Sequence, residues 1–139
     1  MQKLDDIKCA YPFSIAKLVK TGKSATVDTA DTHSTMLIIP RGSGTASTTY
    51  YFYHCSASTT LAASATAFTT GASLKVLGAS GIYCVLFQNQ PGMKRFLRIK
   101  QSTLAASCNL GMIALSFYNR AVPPSSTLGA FTSVTRPAV

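Results

Sequence analysis

An all-β fold, an antiparallel β-sandwich or jelly roll, is what this sequence predicts, and three observations predict it. Short stretches rich in aromatic and β-branched residues recur at roughly 10–15-residue spacing, the rhythm of strands in sandwiches and barrels. Gly and Pro turn signals separate them. The material of a long helix is missing. There is no Glu, and Ser plus Thr make up about a quarter of the chain, which favours turns and strands over helix interiors.

The elements follow in order. Residues 1–23 form a basic leader with five lysines. Leu4, Ile7 and Tyr11 can share one face of a single helical turn, which Pro12 would stop. Phe13 and Ile15 then alternate with small or polar residues, so the leader reads as an arm. From residue 24 the pattern is β. Thr35–Pro40 (TMLIIP) is a short apolar strand ended by proline and followed by the turn Arg41-Gly42-Ser43-Gly44. Thr49–Cys55 (TYYFYHC) is dense in aromatic residues, which favour strands. With a period of two, Tyr50, Phe52 and His54 face one way and Tyr51, Tyr53 and Cys55 the other. Both sets are bulky, which predicts cover on both faces.

Residues 56–73 are rich in Ser, Thr and Ala and read as a loop with a short strand near Ala65–Thr69. Leu74–Leu77 is a brief strand closed by Gly78, and Gly81 opens the next, Ile82–Phe87. Asn89-Gln90-Pro91-Gly92 is a turn signature. Lys94–Gln101 (KRFLRIKQ) alternates, with Arg95, Leu97 and Ile99 on one parity and Phe96, Arg98 and Lys100 on the other. Leu110–Tyr118 is the last strong strand. The remainder carries Pro123, Pro124 and Pro137, with apolar Leu128, Phe131 and Val134. The 139 residues therefore divide into a basic arm (1–23), one β-sandwich domain (24–120) and a C-terminal extension (121–139). Apolar, proline-bearing termini need something to lie on, and in an assembly that is a neighbouring subunit.

Composition narrows the function. The chain is 47% hydrophobic and 12% charged, too apolar for intrinsic disorder. No apolar run approaches the roughly 20 residues of a membrane-spanning helix, and Lys3, Asp5, Asp6 and Lys8 stand where a signal peptide needs its apolar core. A soluble, unexported protein is the expectation. The formal net charge is +9, and all four acids (Asp5, Asp6, Asp28, Asp31) fall in the first 31 residues. The later cations must therefore face water or an outside partner, nucleic acid or an acidic protein surface. Cys9, Cys55, Cys84 and Cys108 lie at long, irregular spacings without a C-x-x-C, and His33 and His54 add no ligand-like spacing, so no metal site is expected. Buried free thiols are expected instead.

Catalytic motifs are scarce. A Ser-His-Asp set can be assembled on paper from His33, Asp28 or Asp31 and any of many serines, which says little. No G-x-S-x-G occurs. Thr21-Gly22-Lys23-Ser24 ends like a phosphate-binding loop, but Lys17 stands where the motif needs Gly, and no βαβ context surrounds it. Neither catalysis nor a cofactor is expected. The strongest nucleic-acid signal is the cluster Lys94, Arg95, Phe96, Arg98 and Lys100, because basic grooves with interleaved aromatics bind single strands. Alternation, however, divides that cluster over two faces. The surplus of Thr, Ser and Ala gives surfaces of low side-chain entropy, which suit packing against identical neighbours.

The segment Gly92–Arg120, GMKRFLRIKQSTLAASCNLGMIALSFYNR, resembles the C-terminal strand pair of small bacteriophage head decoration (cementing) proteins. Lys94, Arg95, Phe96, Leu97, Arg98 and Ile99 stand in the first element of that pattern, and Gly111 and Ile113–Leu115 in the second. Upstream, the strand Thr49–Cys55 and the Ser/Thr-rich loop after it fit the same outline. The leader and the four cysteines are not marks of the family. The resemblance implies a jelly-roll or similar sandwich on the outside of an icosahedral head, without a catalytic site. Such a protein clamps major-capsid subunits together as a dimer or trimer and resides on the virion after assembly in the host cytoplasm. On that expectation Lys3, Lys8, Lys17 and Lys20 of the arm and Val122, Pro123, Pro124, Phe131 and Arg136 of the tail carry the contacts. Two other readings stand beside it: a self-assembling coat protein, and a nucleic-acid-binding β domain using the basic strand.

Overall fold

Ten strands account for the regular structure: β1 (Ile7–Val19), β2 (Ser24–Asp28), β3 (Ser34–Arg41), β4 (Thr48–Cys55), β5 (Thr66–Ala67), β6 (Ser73–Val76), β7 (Gly81–Gln88), β8 (Phe96–Gln101), β9 (Cys108–Phe117) and β10 (Ser133–Thr135). They come from a computed structural model that describes residues 7–19, 24–42, 47–61, 64–76, 81–102, 108–118, 131 and 133–139, with side chains described outside 10–19 and 108–110. No α-helix occurs among the described residues.

The pairing pattern defines the architecture. β4 pairs antiparallel with β6, β3 with β7, β2 with β8 and β1 with β9. The chain is thus one long ribbon folded back on itself at β4–β6. Winding that ribbon deals its strands into two sheets, β1-β9-β3-β7-β10 and β2-β8-β4-β5, with β6 also on β4. An eight-stranded ribbon wound into two sheets is a jelly roll; β5 and β10 are additions to it. The all-β sandwich expected from the sequence is the observed fold.

The main core lies between the sheets. Leu37 and Ile39 of β3, Val85 and Phe87 of β7 and Met112 and Ala114 of β9 meet Tyr50 and Phe52 of β4, Leu97 and Ile99 of β8 and Leu74 and Val76 of β6. The alternation read in β4 and β8 is what delivers these side chains inward. Phe52 and Phe87 meet edge to face at 5.4 Å between ring centroids, and Phe68 lies 5.4 Å from Phe87. Between β3 and β9 a buried Thr35–Ser116 hydroxyl pair at 2.9 Å satisfies two groups that would otherwise be stranded in apolar surroundings.

A second apolar cluster sits on the outer face of the first sheet. Met36, Cys84, Leu86 and Phe117 are buried there, with Ile7, Ile38, Leu115, Phe131 and Val134 against them. This explains why β3 reads as a continuous apolar run: it is covered on both sides. The strand also runs through Pro40. Its pairing with β7 is continuous, but the ladder to β9 skips from Ile38 to Arg41, as expected where a residue has no N–H to donate.

Three expectations are corrected. Residues 7–19 of the leader are not helical at any turn. They form an edge strand paired with β9, with register shifts between Ala10 and Phe13, Phe13 and Ala16, and Ala16 and Val19. Pro12 falls in the first irregularity; an edge strand tolerates it because its missing N–H can face away from the sheet. The end of the tail lies on its own chain. β10 runs parallel to β7, Ser133 to Thr135 beside Tyr83 to Val85. Finally, β8 and β9, read as a strand pair, lie in opposite sheets.

Two turns depend on glycine. Gly92, at φ 89°, follows Pro91 in a turn closed by Met93 N–H to Gln90 O at 3.1 Å, the placement a type II turn requires. Gly71, at φ 63°, lets the chain end approach: a Cβ there would stand 3.0 Å from Pro137 Cα.

Candidate functional site

The outer face of the second sheet is the most chemically distinctive surface. Because β8 sends Leu97, Ile99 and Gln101 inward, Phe96, Arg98 and Lys100 point out. β4 sends Tyr50, Phe52 and His54 inward, which leaves Thr49, Tyr51 and Tyr53 outside. Antiparallel register then sets these residues side by side. Lys100 pairs with Tyr51 on one flank and Ser24 on the other, and Arg98 pairs with Tyr53 and Thr26. On the far side of β4, Ser73 stands by Tyr51 and Lys75 by Thr49. Tyr51 is 39% exposed; Lys75 and Lys100 are exposed, and Tyr53, Phe96 and Arg98 are half-buried. Cover on both faces of β4 was expected, yet Tyr51 is open because no described residue packs over it. Cys55 is covered, its thiol set against Ala57 O and Phe96 O.

The charges here are fixed unequally. Arg95 precedes β8 and grips Asp28 with two hydrogen bonds, Nε to Oδ1 at 2.9 Å and Nη2 to Oδ2 at 2.7 Å, while its guanidinium carbon lies 4.9 Å over the Phe96 ring. That bidentate contact, with help from the Ala30 N–H, holds the Asp28 carboxyl below the usual carboxylate range and raises the Arg95 guanidinium. Lys94 Nζ donates to Thr66 Oγ1 at 2.9 Å and Arg98 Nη1 to Thr26 Oγ1 at 2.6 Å. Among the described residues, Lys75, Lys94, Arg98 and Lys100 have no carboxylate partner.

The structure therefore gathers Phe96, Arg98 and Lys100 of the basic cluster on one face. Lys94 and Arg95 lie at its end, where Arg95 is engaged by Asp28. Tyr51, Tyr53 and Lys75 join that face, and the cluster alone did not reveal them. The period-two pattern of TYYFYHC separates Tyr51 and Tyr53 from the core, but only register brings them beside β8. Of the expected contact residues, Lys8 is exposed on β1 and close enough to Asp28 to lower its pKa further. Lys17 belongs to β1 by its backbone. Phe131 is half-buried on its own chain's second cluster, and Arg136 is exposed. Lys3, Lys20, Val122, Pro123 and Pro124 lie outside the described residues.

One of the two histidines is buried in the fold. His54 is 2% exposed. Its Nδ1 accepts the Lys94 backbone N–H at 3.2 Å, and its ring lies 5.0 Å from that of Phe68. Burial, and secondarily the Lys94 charge, hold its pKa below the ordinary histidine value. Because the unfolded chain takes the proton more readily, His54 contributes stability that is complete above pH ~6.5 and is lost as pH falls below that value, by at most about 1.4 kcal/mol per pH unit. Thermal melts between pH 7.5 and 5 should show this loss, and His54→Gln should flatten it. An unchanged slope in the variant would place the titration elsewhere. Cys55 and Cys84 are buried and free, as expected, while Cys9 is exposed. Burial pushes the Cys84 thiol up to about 11. No cluster of metal-ligating residues occurs among the described residues.

No protein-family model matches the chain, and no curated protein matches it. Among solved structures, a protein derived from the SPBc2 prophage, YomS, aligns with a TM-score of 0.48 at 11% identity, over 79% of this chain and 93% of that one. A chain from Bacillus endospore appendages, described as disulfide-linked pili, aligns with a TM-score of 0.41 at 15% identity, over 80% and 87%. The coat protein of Tobacco streak virus aligns with a TM-score of 0.33 at 10% identity, over 92% and 98%. All three scores lie below 0.5, so the jelly-roll assignment rests on this chain's own strand pairing.

Proposed function

We propose that this chain is a non-enzymatic structural protein of a virion, and that it acts as a head decoration protein, binding the outside of a phage capsid and steadying contacts between major-capsid subunits. The observation that carries the reading is a jelly roll whose sheet face presents cations and rings, with Lys75, Arg98 and Lys100 lacking acidic partners among the described residues. Such a surface is suited to contact rather than to catalysis. The motif resemblance at Gly92–Arg120 supports the decoration role within that class. A lattice multiplies the modest contact area of each copy, so a small protein suffices.

Co-sedimentation with empty, undecorated phage heads, at low and moderate salt, tests the proposal. Saturable binding at a fixed ratio to the coat protein is expected. The same assay on a chain with Lys3, Lys8, Lys17 and Lys20 all changed to Gln tests the basic leader without removing a strand. A second reading, the self-assembling coat protein, is favoured by the folded-back ribbon, an arrangement common in viral capsid domains. Closed shells formed by the purified protein alone, with no binding to heads, would put that reading first.

A further inference from the structure

We propose that the outer face of the second sheet is a binding platform for single-stranded nucleic acid. This goes beyond the virion role by giving the same face a second class of ligand, and its test is read separately from head binding. Single strands are held by cations that track phosphates and by rings on which bases stack, and sheet faces bearing aromatics are one established way to present both. Here Tyr51 and Tyr53 lie two residues apart on β4, about 7 Å along the strand. Each has a cation directly across the ladder, Lys100 beside Tyr51 and Arg98 beside Tyr53. Lys75 extends the charge onto β6, while the Phe96 ring on β8 already carries the Arg95 guanidinium. Asp28, the carboxylate that β2 brings to this face, is engaged by Arg95, which lessens its repulsion of phosphate.

Charge type suits phosphate contact at this face. Lysines are depleted in the dry centres of protein interfaces, whereas phosphate contacts are wet and suit an ammonium point charge. Lys100 stands directly across from Tyr51, and Lys75 stands diagonal to it on the other flank of β4. A duplex hides its base faces, so the platform should prefer an unstacked strand.

Fluorescence anisotropy with labelled 30-mers of dT and of U tests this on the full chain, with a duplex of equal charge and unlabelled polyglutamate as further arms. Saturable binding to either single strand or both is expected. The affinity should fall roughly 50-fold between 50 and 200 mM salt if four phosphates are engaged. Tyr51→Ala should weaken binding roughly 5- to 100-fold. Lys75→Gln and Lys100→Gln should each lower the log–log salt slope by about 0.7. The circular dichroism of each variant confirms folding, and Tyr53→Ala serves where Tyr51→Ala fails to fold. Three results would overturn the platform: no saturable binding at 50 mM salt, equal or tighter binding of the duplex, or unchanged binding by a folded Tyr51→Ala or Tyr53→Ala variant. Polyglutamate competing as well as dT would assign the face to an acidic protein instead. Head co-sedimentation is read separately, so either proposal can fail alone.

Discussion

Phe52→Ala is expected to cost about 3–5 kcal/mol of unfolding free energy, a large share of the 5–15 kcal/mol typical of a domain. Phe52 is wholly buried at the centre of β4, its ring edge-on to Phe87 of the opposite sheet. It therefore joins the two layers. Removing it takes away the transfer energy of the ring and leaves a cavity that the sheets cannot close, because each is held at its spacing by the ladders on either side. Tyr51→Ala is the internal control. It deletes an aromatic side chain one residue away on the open face, where the cost is about 1 kcal/mol or less. Urea denaturation of both variants measures the contrast. Equal losses would mean that the inward and outward parities of β4 are wrong, and with them the composition of the candidate face.

That contrast also shows which parts of the fold were legible in the sequence. β3, β4, β7, β8 and β9 stood out because each must place an apolar face on the core, and period two or a continuous apolar run records that need. β6 overlaps the brief Leu74–Leu77 strand closed by Gly78, and β5 falls within the short strand read near Ala65–Thr69. β1 was not legible, because its irregular register disperses the alternation; Leu4, Ile7 and Tyr11 instead imitate a helical stripe that Pro12 would end. β10 is three residues long and owes its existence to β7, a dependence no local pattern carries. The candidate face was half legible. Alternation set Arg98 and Lys100 apart from Leu97 and Ile99, but Tyr51 and Lys75 reach them only through pairings between residues distant in sequence.

Deleting residues 131–139 is expected to destabilise the protein by about 2–4 kcal/mol, from the half-buried Phe131 and Val134 and the loss of strand β10. The end of the chain is strapped down on both sides of the fold. Ala138 N–H donates to Thr70 O at 2.9 Å and its carbonyl accepts from Thr69 N–H at 2.8 Å. Gln90 Nε2 donates to Pro137 O at 3.2 Å, and Val139 N–H to Gln90 Oε1 at 3.0 Å. Gly71 is the residue that allows Pro137 so close. Without this cover the outer side of β7 opens, and the Cys84 thiol becomes accessible. Maleimide labelling reads the change directly: Cys9 should react in the intact and shortened chains alike, Cys84 only in the shortened one, with peptide mapping to assign the sites. Should Cys84 stay protected and the stability hold, the tail does not seal its own sheet, and Phe131 and Arg136 return as candidates for contact with a capsid. Exposure of Cys84 with loss of stability would instead make Phe131 a part of this chain's own core, and direct the search for capsid contacts to the leader and the basic sheet face.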